Sequence, residues 1–212
     1  MCKPMACWTT KLASAALALL VCGCAWAGGG PLGIDSTVAL DDKGIWKRSV
    51  QTAVLGVVVT GTIAAAFWEG GETRLGKTLW QSVDSLAIST ASTTAGKFIF
   101  TRARPTQTND PNQWFLGGHN YSFPSGEVGA MSAVVTPFIL EYKNDHPWVW
   151  ALELLPAYDA VARVKVHAHW QTDVIAGFAI GTAAGYYAHS RGSPWFLGVL
   201  PQGVSVGFHK QW

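Results

Sequence analysis

Long apolar stretches alternate with short polar ones along this chain, at lengths that predict helices. Residues 50–68 are mostly apolar and follow a basic pair, and a helix of that length could span a bilayer. Residues 78–100 are also largely apolar, but Gln81, Asp84 and several Ser and Thr interrupt them. That second segment is therefore predicted to pack among other helices. The glycine-rich residues 69–72 between the two are predicted to form a turn.

Three further helices are predicted downstream. They cover residues 125–142, bent or ended near Pro137, residues 148–164, kinked at Pro156, and residues 170–190, where Gly and Ala recur at intervals that permit close packing. We expect an all-α fold, a helical bundle of about five core helices over residues 46–193.

Non-helical segments separate and flank these helices. Arg104-Pro105 is predicted to end the second helix, because proline disfavours helix in the residue before it. Residues 106–121 contain Asn, Asp, Gly and Pro, and a loop of that length often covers a site. Residues 28–45 are predicted to form a linker or an arm. Residues 194–212 are predicted to form a short extended C-terminal tail, because Val204, Val206 and Phe208 alternate as in a strand.

The first 27 residues resemble a secretory signal, with Lys3 and Lys11 before a short apolar run and a small-x-small site ending at Ala27. Two alternatives remain open: a lipoprotein signal with a lipid on Cys24, or a retained membrane helix. All four cysteines lie in this segment. Cleavage after Ala27 would leave a fold that cannot depend on disulfides.

The amino-acid composition limits the kinds of function that this chain can have. Apolar residues make up 49% and charged residues 13% of the 212 residues, which favours membrane contact or a deeply buried bundle, although the mean hydropathy is only +0.20. The 15 basic residues barely exceed the 13 acidic ones, so no nucleic-acid partner is expected. Any site for an anion must therefore be local.

The segment from Arg163 to Asp173 concentrates the candidate chemistry. If the helix begins near residue 170, His169 and Asp173 lie one turn apart on one face. A carboxylate there can bind one ring nitrogen and direct the other toward a substrate. Arg163 offers a fixed fork of donors for a phosphate or carboxylate.

Two more motifs precede this segment: Lys97-x6-Arg104-Pro105 and Pro124-Ser125-Gly126-Glu127. Three ordered motifs are far more specific than one. Together, over residues 97–177, they resemble the type 2 phosphatidic acid phosphatase superfamily, which also holds bacterial class A acid phosphatases and vanadium haloperoxidases. One position departs from the family pattern, because Glu127 stands where the family usually has histidine.

The resemblance implies that His169 is a nucleophile that forms a phosphohistidine and that Asp173 fixes its tautomer. The phosphate would be bound by cations and by helix-start donors, namely Lys97, Arg104, Arg163, Ser125 and Gly126. No metal and no cofactor is expected, because three bases already supply the positive charge.

Glu127 would act as the proton donor to the leaving oxygen, provided that burial and a bound dianion raise its pKa. The alternatives are a substrate with a good leaving group, a slower enzyme, help from His119, or a non-catalytic family member. His167 is predicted to support the site or to belong to the core.

The leading functional hypothesis is a bacterial cell-envelope phosphatase on the periplasmic side, membrane-associated and acting on a lipid phosphate or pyrophosphate. A soluble periplasmic acid phosphatase of broad specificity is the main alternative. A vanadate-dependent haloperoxidase and a non-enzymatic anion or lipid binder are further alternatives. Fractionation separates the first two, because activity in a washed soluble extract favours the second.

Overall fold

Five helices form the protein in this computed structural model, which describes residues 28–192 and two short strands. The helices are α1 (Arg48–Glu69), α2 (Arg74–Phe100), α3 (Gly126–Tyr142), α4 (Leu154–Lys165) and α5 (Gln171–Ser190). The strands β1 (Gly198–Leu200) and β2 (Gly203–Ser205) pair antiparallel. The all-α prediction is confirmed. The predicted signal in residues 1–27, and Val206 and Phe208 of the tail, lie outside the described residues.

Helices α2, α3 and α5 pack against one another at the centre, with α1 on α2 and α4 on α3. Ser82 and Ser85, two of the Ser and Thr residues that interrupt the second apolar segment, face this centre and donate to the carbonyls of Val134 and Ala133 on α3. Because their hydroxyls are satisfied in this way, they can be buried without a large desolvation cost.

Glycines on α5 allow it to approach α3 closely. A Cβ on Gly177 would lie 2.2 Å from the carbonyl oxygen of Ser125, and one on Gly181 would lie 2.1 Å from that of Gly129. No side chain larger than hydrogen fits at those distances. The close packing predicted from the Gly and Ala spacing is thus found between α5 and the start of α3, beside the second motif.

Two predicted helix boundaries were wrong. Helix α2 ends at Phe100 rather than at Arg104-Pro105, because Thr101 adopts a left-handed conformation (φ 36°) and the Ala103 N–H bonds to Gln113 in the following loop. The segment 148–164 is not one kinked helix, since a 3-10 helix over Pro147–Glu153 precedes α4. Pro156 lies in the first turn of α4, where a missing N–H costs nothing.

Helix α3 passes through Pro137 and ends at Tyr142. The alternative in which it ended near that proline is therefore wrong.

Helix α1 is the exposed member of the bundle. It has 22 residues, its most apolar 18-residue window has a mean hydropathy of 1.8, and only 11% of that window is buried. By length and composition it is the single helix in the described part of the chain that could cross a membrane. Its first turn, at Arg48, lies at the same end of the bundle as the ends of α2 and α4 and the starts of α3 and α5.

Candidate active site

Chain direction brings the three motifs to one end of the bundle. Lys97 is in the last turn of α2, Ser125 caps α3, Arg163 is in the last turn of α4, and His169 lies in the connection before α5. Two connections, 101–125 and 166–170, join these helix ends. Motifs far apart in sequence therefore meet where consecutive helices turn back.

The His169 ring is held by the backbone. His169 is 3% exposed, and its Nδ1 lies 2.6 Å from the carbonyl oxygen of Ser122. A carbonyl can only accept, so Nδ1 carries the hydrogen and Nε2 keeps its lone pair. Nε2 makes no hydrogen bond within the described part of the chain. Burial lowers the pKa of His169 to about 4, although Asp173 raises it, so the ring is neutral near pH 7.

The sequence predicted that the Asp173 carboxylate binds the His169 ring directly, but the two side chains are too far apart for a hydrogen bond. Its Oδ2 is 3.7 Å from Nδ1 of His169, beyond hydrogen-bond range but within reach as a charge. The same oxygen accepts from the Ser122 hydroxyl at 2.5 Å and from the Trp170 N–H at 2.9 Å. Asp173 therefore positions both the residue that binds the ring and the start of α5.

A buried arginine outside the predicted set neutralises Asp173. Arg102 is fully buried and donates to Asp173 at 2.5 Å and to Asp35 at 2.6 Å. Asp35 comes from residues 28–47, an arm that includes a 3-10 helix (Gly44–Trp46) and contacts the end of the bundle where α4 ends and α5 begins. Asp35 also binds the N–H and hydroxyl of Thr172. The Asp35–Arg102–Asp173 triad thus connects the arm, the loop after α2 and α5.

Lys97 and Arg104 converge on one backbone carbonyl. Lys97 Nζ donates to Tyr121 at 3.2 Å and to Pro124 at 2.7 Å, while Arg104 donates to Tyr121 at 3.1 Å and to Ala168 at 2.9 Å. Burial, and next the charge of Arg104, lower the pKa of Lys97 to about 8. Two cations are therefore held close together beside the second motif, where an anion would relieve their mutual repulsion.

Ser125 contributes an unused hydroxyl. The residue is fully buried, its N–H binds the carbonyl of Asp173 at 2.9 Å, and its Oγ has no hydrogen-bond partner within the described residues. A buried hydroxyl without a partner is costly. The first N–H groups of α3, at Gly126 and Glu127, also lack intrahelical acceptors. Both features suit an anion with several oxygens.

Glu127 is bound by an arginine that the motifs do not contain. Both of its oxygens accept from Arg48 at 2.6 Å, and Arg163 lies 3.7 Å away. Burial would raise the pKa of Glu127, but the Arg48 bonds and the Arg163 charge outweigh burial and hold that pKa below its ordinary value. The carboxyl is thus ionised in the free protein. The proton-donor role was expected only with a bound dianion that raises this pKa, and it stays a prediction.

Arg163 and Asp159, both on α4, are two further charged residues near Glu127. Arg163 donates to Gln51 at 3.0 Å, and its carbonyl accepts from the Ala168 N–H at 3.0 Å, which fixes the approach to His169. Asp159 is fully buried one turn earlier on α4, with neither oxygen hydrogen-bonded within the described residues. Burial, and next the charge of Glu127, raise the pKa of Asp159 to about 7.

The other two candidate histidines contact neighbours of this cluster rather than its charged side chains. His119 is exposed in the loop, with its ring against Tyr121. His167 has a left-handed backbone (φ 56°), and its Nε2 contacts the carbonyl of Val38 at 2.7 Å. His167 therefore attaches the arm to the end of α4 and is not a core residue.

Sequence reasoning missed the residues that only packing brings to the site: Asp35, Arg48, Gln51, Arg102, Ser122 and Asp159. Arg102 carried a weak signal, as a second arginine two residues before Arg104. Arg48 stands 79 residues before its partner Glu127, and no local pattern connects the two.

Comparison with known proteins places these motifs in a family. A family model described as the PAP2 superfamily matches residues 78–194. The chain is 29% identical over 119 residues to a lipid A 1-phosphatase of Porphyromonas gingivalis, a match that covers 56% of this chain and 24% of that protein. The chain thus spans about a quarter of the length of that relative.

The solved structure of LpxE from Aquifex aeolicus superposes with a TM-score of 0.43 at 16% identity, over 72% of this chain and 99% of that one. This superposition is too loose to carry a functional comparison. The family match, in contrast, covers more than half of the chain and includes all three motifs. The chain therefore belongs to the PAP2 superfamily, the group of type 2 phosphatidic acid phosphatases that its motifs resemble.

Proposed function

We propose that this protein is a cell-envelope phosphatase that hydrolyses a phosphomonoester or diphosphate, carried on a lipid, through a phosphohistidine on His169. The observation that carries the proposal is the state of His169: a buried, neutral ring with Nδ1 bound to Ser122 and Nε2 free. An imidazole in that tautomer is ready to attack phosphorus.

The proposed reaction has two displacements. Nε2 of His169 attacks the phosphorus, and the bond to the leaving oxygen breaks. Water then attacks the phosphohistidine and restores the ring. Lys97, Arg104 and Arg163 neutralise charge on the phosphoryl oxygens, while the Ser125 hydroxyl and the Gly126 N–H donate to them. Asp173 acts through Ser122, since it holds the residue that binds Nδ1.

The proposed mechanism is metal-independent. Within the residues that the structure describes, no group of three His, Cys, Asp or Glu side chains could hold a metal ion. The positive charge that a metal would supply at the phosphoryl group can come from the two arginines and the lysine.

Several features support a lipid substrate and membrane association. Helix α1 is apolar and mostly unburied. A groove of about 680 Å³, lined almost wholly by apolar side chains of α1, α2, α3, α4 and the 3-10 helix, runs beside it to Tyr142 and His146, at the end of the bundle opposite the phosphate site, and so supports membrane contact. Exposed apolar side chains also surround the site end, including Phe98, Ile99 and Phe115. The similarity to a lipid A 1-phosphatase points in the same direction.

A trapping experiment tests the proposed chemistry. Purified protein is mixed with p-nitrophenyl phosphate labelled with ³²P and quenched in alkali, in which phosphohistidine survives. We expect label on wild-type protein and none on His169→Ala. Steady turnover without any base-stable label, in wild type under rapid quench, would argue against the intermediate.

A second experiment tests location and substrate class. Activity toward phosphatidic acid, an isoprenyl diphosphate and p-nitrophenyl phosphate is measured in washed membranes and in the soluble fraction. We expect it in membranes, with the lipids as better substrates. Activity confined to the soluble extract would favour the broad-specificity acid phosphatase instead.

A further inference from the structure

Arg48 binds the side chain at the motif position where the family resemblance places the proton donor to the leaving oxygen. Glu127 occupies the motif position next to Ser125 and Gly126, and the Arg48 fork covers both of its oxygens at 2.6 Å. Arg48 belongs to none of the three motifs and comes from the first turn of α1. It is therefore a cation beside the phosphate site that the family pattern does not supply.

Several N–H groups of the Arg48 guanidinium are not used by Glu127. A guanidinium carries five N–H groups, and the fork on Glu127 uses one on each terminal nitrogen. Arg48 makes no other hydrogen bond within the described residues, and its side chain is 53% exposed against 20% for Glu127. The arginine can thus keep its bond to Glu127 and still donate to a second anion that enters from the open side.

Glu127, in contrast, is poorly suited to donate a proton. It is ionised and lies between two arginines, Arg48 at 2.6 Å and Arg163 at 3.7 Å. An ionised carboxylate can hold a cation in place but cannot protonate a leaving oxygen. Replacing the family's histidine by this pair exchanges a proton donor for an ion pair whose guanidinium keeps N–H groups free to donate.

We propose that Arg48, held by Glu127, stabilises the leaving oxygen as an anion and makes this site selective for phosphoanhydrides over phosphate esters of alcohols. The inference rests on the proposed function and narrows its substrate class. A departing phosphate group is a stable anion, with a pKa of about 6, and needs charge stabilisation but no proton. A departing alkoxide is far more basic and needs the proton that this site lacks.

The step balances without an added acid. Nε2 of His169 bonds to the terminal phosphorus, and the bond from that phosphorus to the bridging oxygen breaks. The electron pair stays on the bridging oxygen, which leaves as part of a lipid monophosphate and accepts hydrogen bonds from Arg48. Water then attacks the phosphohistidine, the P–N electron pair returns to Nε2, and the released phosphate passes one proton to solvent.

The test compares farnesyl diphosphate with farnesyl phosphate, which share one apolar tail, and includes p-nitrophenyl phosphate as a substrate with an easily displaced group. For wild type we expect kcat/KM for the diphosphate to exceed that for the monophosphate by about 10²-fold or more. Arg48→Gln should lower the diphosphate value by about 10²-fold and the p-nitrophenyl phosphate value by less than about tenfold. Arg48→Lys, which keeps the charge, should recover part of the loss.

The matched control is Arg74→Gln, at the opposite end of the bundle. Arg74 is 47% exposed and donates to Glu141 and Asp145 at 2.5 Å, so it is a similar surface ion pair far from the site. The Arg74→Gln variant should hydrolyse all three substrates at the wild-type rates. Thermal unfolding of each variant checks that Arg48→Gln is folded.

The possible outcomes distinguish a failure of the proposed function from a failure of the proposed role of Arg48. Wild-type protein that hydrolyses none of the three substrates would refute the proposed function and the role of Arg48 together. Equal efficiency on the two farnesyl substrates, or equal losses on all three in a folded Arg48→Gln protein, would refute the role of Arg48 alone. If the role of Arg48 alone were refuted, this arginine would serve only to attach α1 to α3.

Discussion

The carbonyl oxygen of Ser122 lies 2.6 Å from Nδ1 of His169, and this contact decides which ring nitrogen is free. In a Ser–His–Asp site the carboxylate binds the ring directly. Here Asp173 is 3.7 Å away and holds the Ser122 hydroxyl instead. The backbone thus sets the tautomer, and the carboxylate sets the position of that backbone.

The first prediction concerns this ring. His169→Ala should lower kcat by at least about 10³-fold while the helical circular dichroism is kept, because covalent catalysis has no substitute nucleophile. His167→Ala is the control, since His167 contacts Val38 of the arm and not the phosphate site. Activity above about one per cent of wild type in the first variant would contradict the nucleophile role.

The second prediction concerns the buried triad. Arg102→Leu would leave Asp35 and Asp173 buried without their cation, which should destabilise the fold by about 3–5 kcal/mol. Urea unfolding measures this change. The surface variant Arg74→Leu is the comparison and should have little effect. If both variants unfold at the same urea concentration, the triad does not contribute to stability as we argue.

The third prediction concerns Asp159 and the pH dependence of stability. The pKa of this carboxyl is raised to about 7 in the fold, by burial first and then by Glu127. The folded state therefore binds a proton that the unfolded state has lost above about pH 4. That proton favours folding at low pH, and its contribution falls as pH rises from about 4 to about 7.

The change of Asp159 to Asn should remove this dependence. Relative to wild type, Asp159→Asn should gain about 2–4 kcal/mol of unfolding free energy between pH 4.5 and 7.5. Urea melts at several pH values measure the difference, with the exposed Asp145→Asn as control. A pH-independent difference between Asp159→Asn and wild type would show that this carboxyl does not titrate in the fold.

The fourth prediction concerns the pH dependence of the rate. His169 must be neutral to attack, and its pKa is about 4, so kcat/KM should fall below about pH 4. Lys97 must be charged, and its pKa is about 8, so kcat/KM should also fall above about pH 8. Lys97→Arg should retain its charge and lose the alkaline decline. Persistence of that decline in Lys97→Arg would assign it to another group.

The fifth prediction concerns inhibitors. Vanadate and phosphate should inhibit competitively, because vanadate adopts the five-coordinate geometry of the transition state and the site offers cationic and N–H donors. EDTA should not change the rate. Loss of activity on chelation, reversed by a divalent cation, would require a metal in the mechanism.

Local sequence patterns predicted most of the helices and nominated the phosphate site. Apolar runs and turn residues located five helices, because helix formation depends on neighbours within a few positions. The boundaries at Thr101 and near Leu154 were wrong, since contacts of the following loop and a 3-10 helix replaced the local preference.

The three motifs nominated Lys97, Arg104, Ser125, Arg163 and His169 as candidates through their resemblance to the family pattern. Only the tertiary structure decided the electrostatic state of the site. The ionisation of Glu127 depends on Arg48, which is 79 residues away. The ionisation of Asp173 depends on His169 first and then on Arg102, which also binds Asp35. Those contacts follow from how α1 and the arm pack on the bundle. The pKa of an ionisable group depends on its distance in space from other charges and on its burial. The local pattern of residues encodes neither quantity.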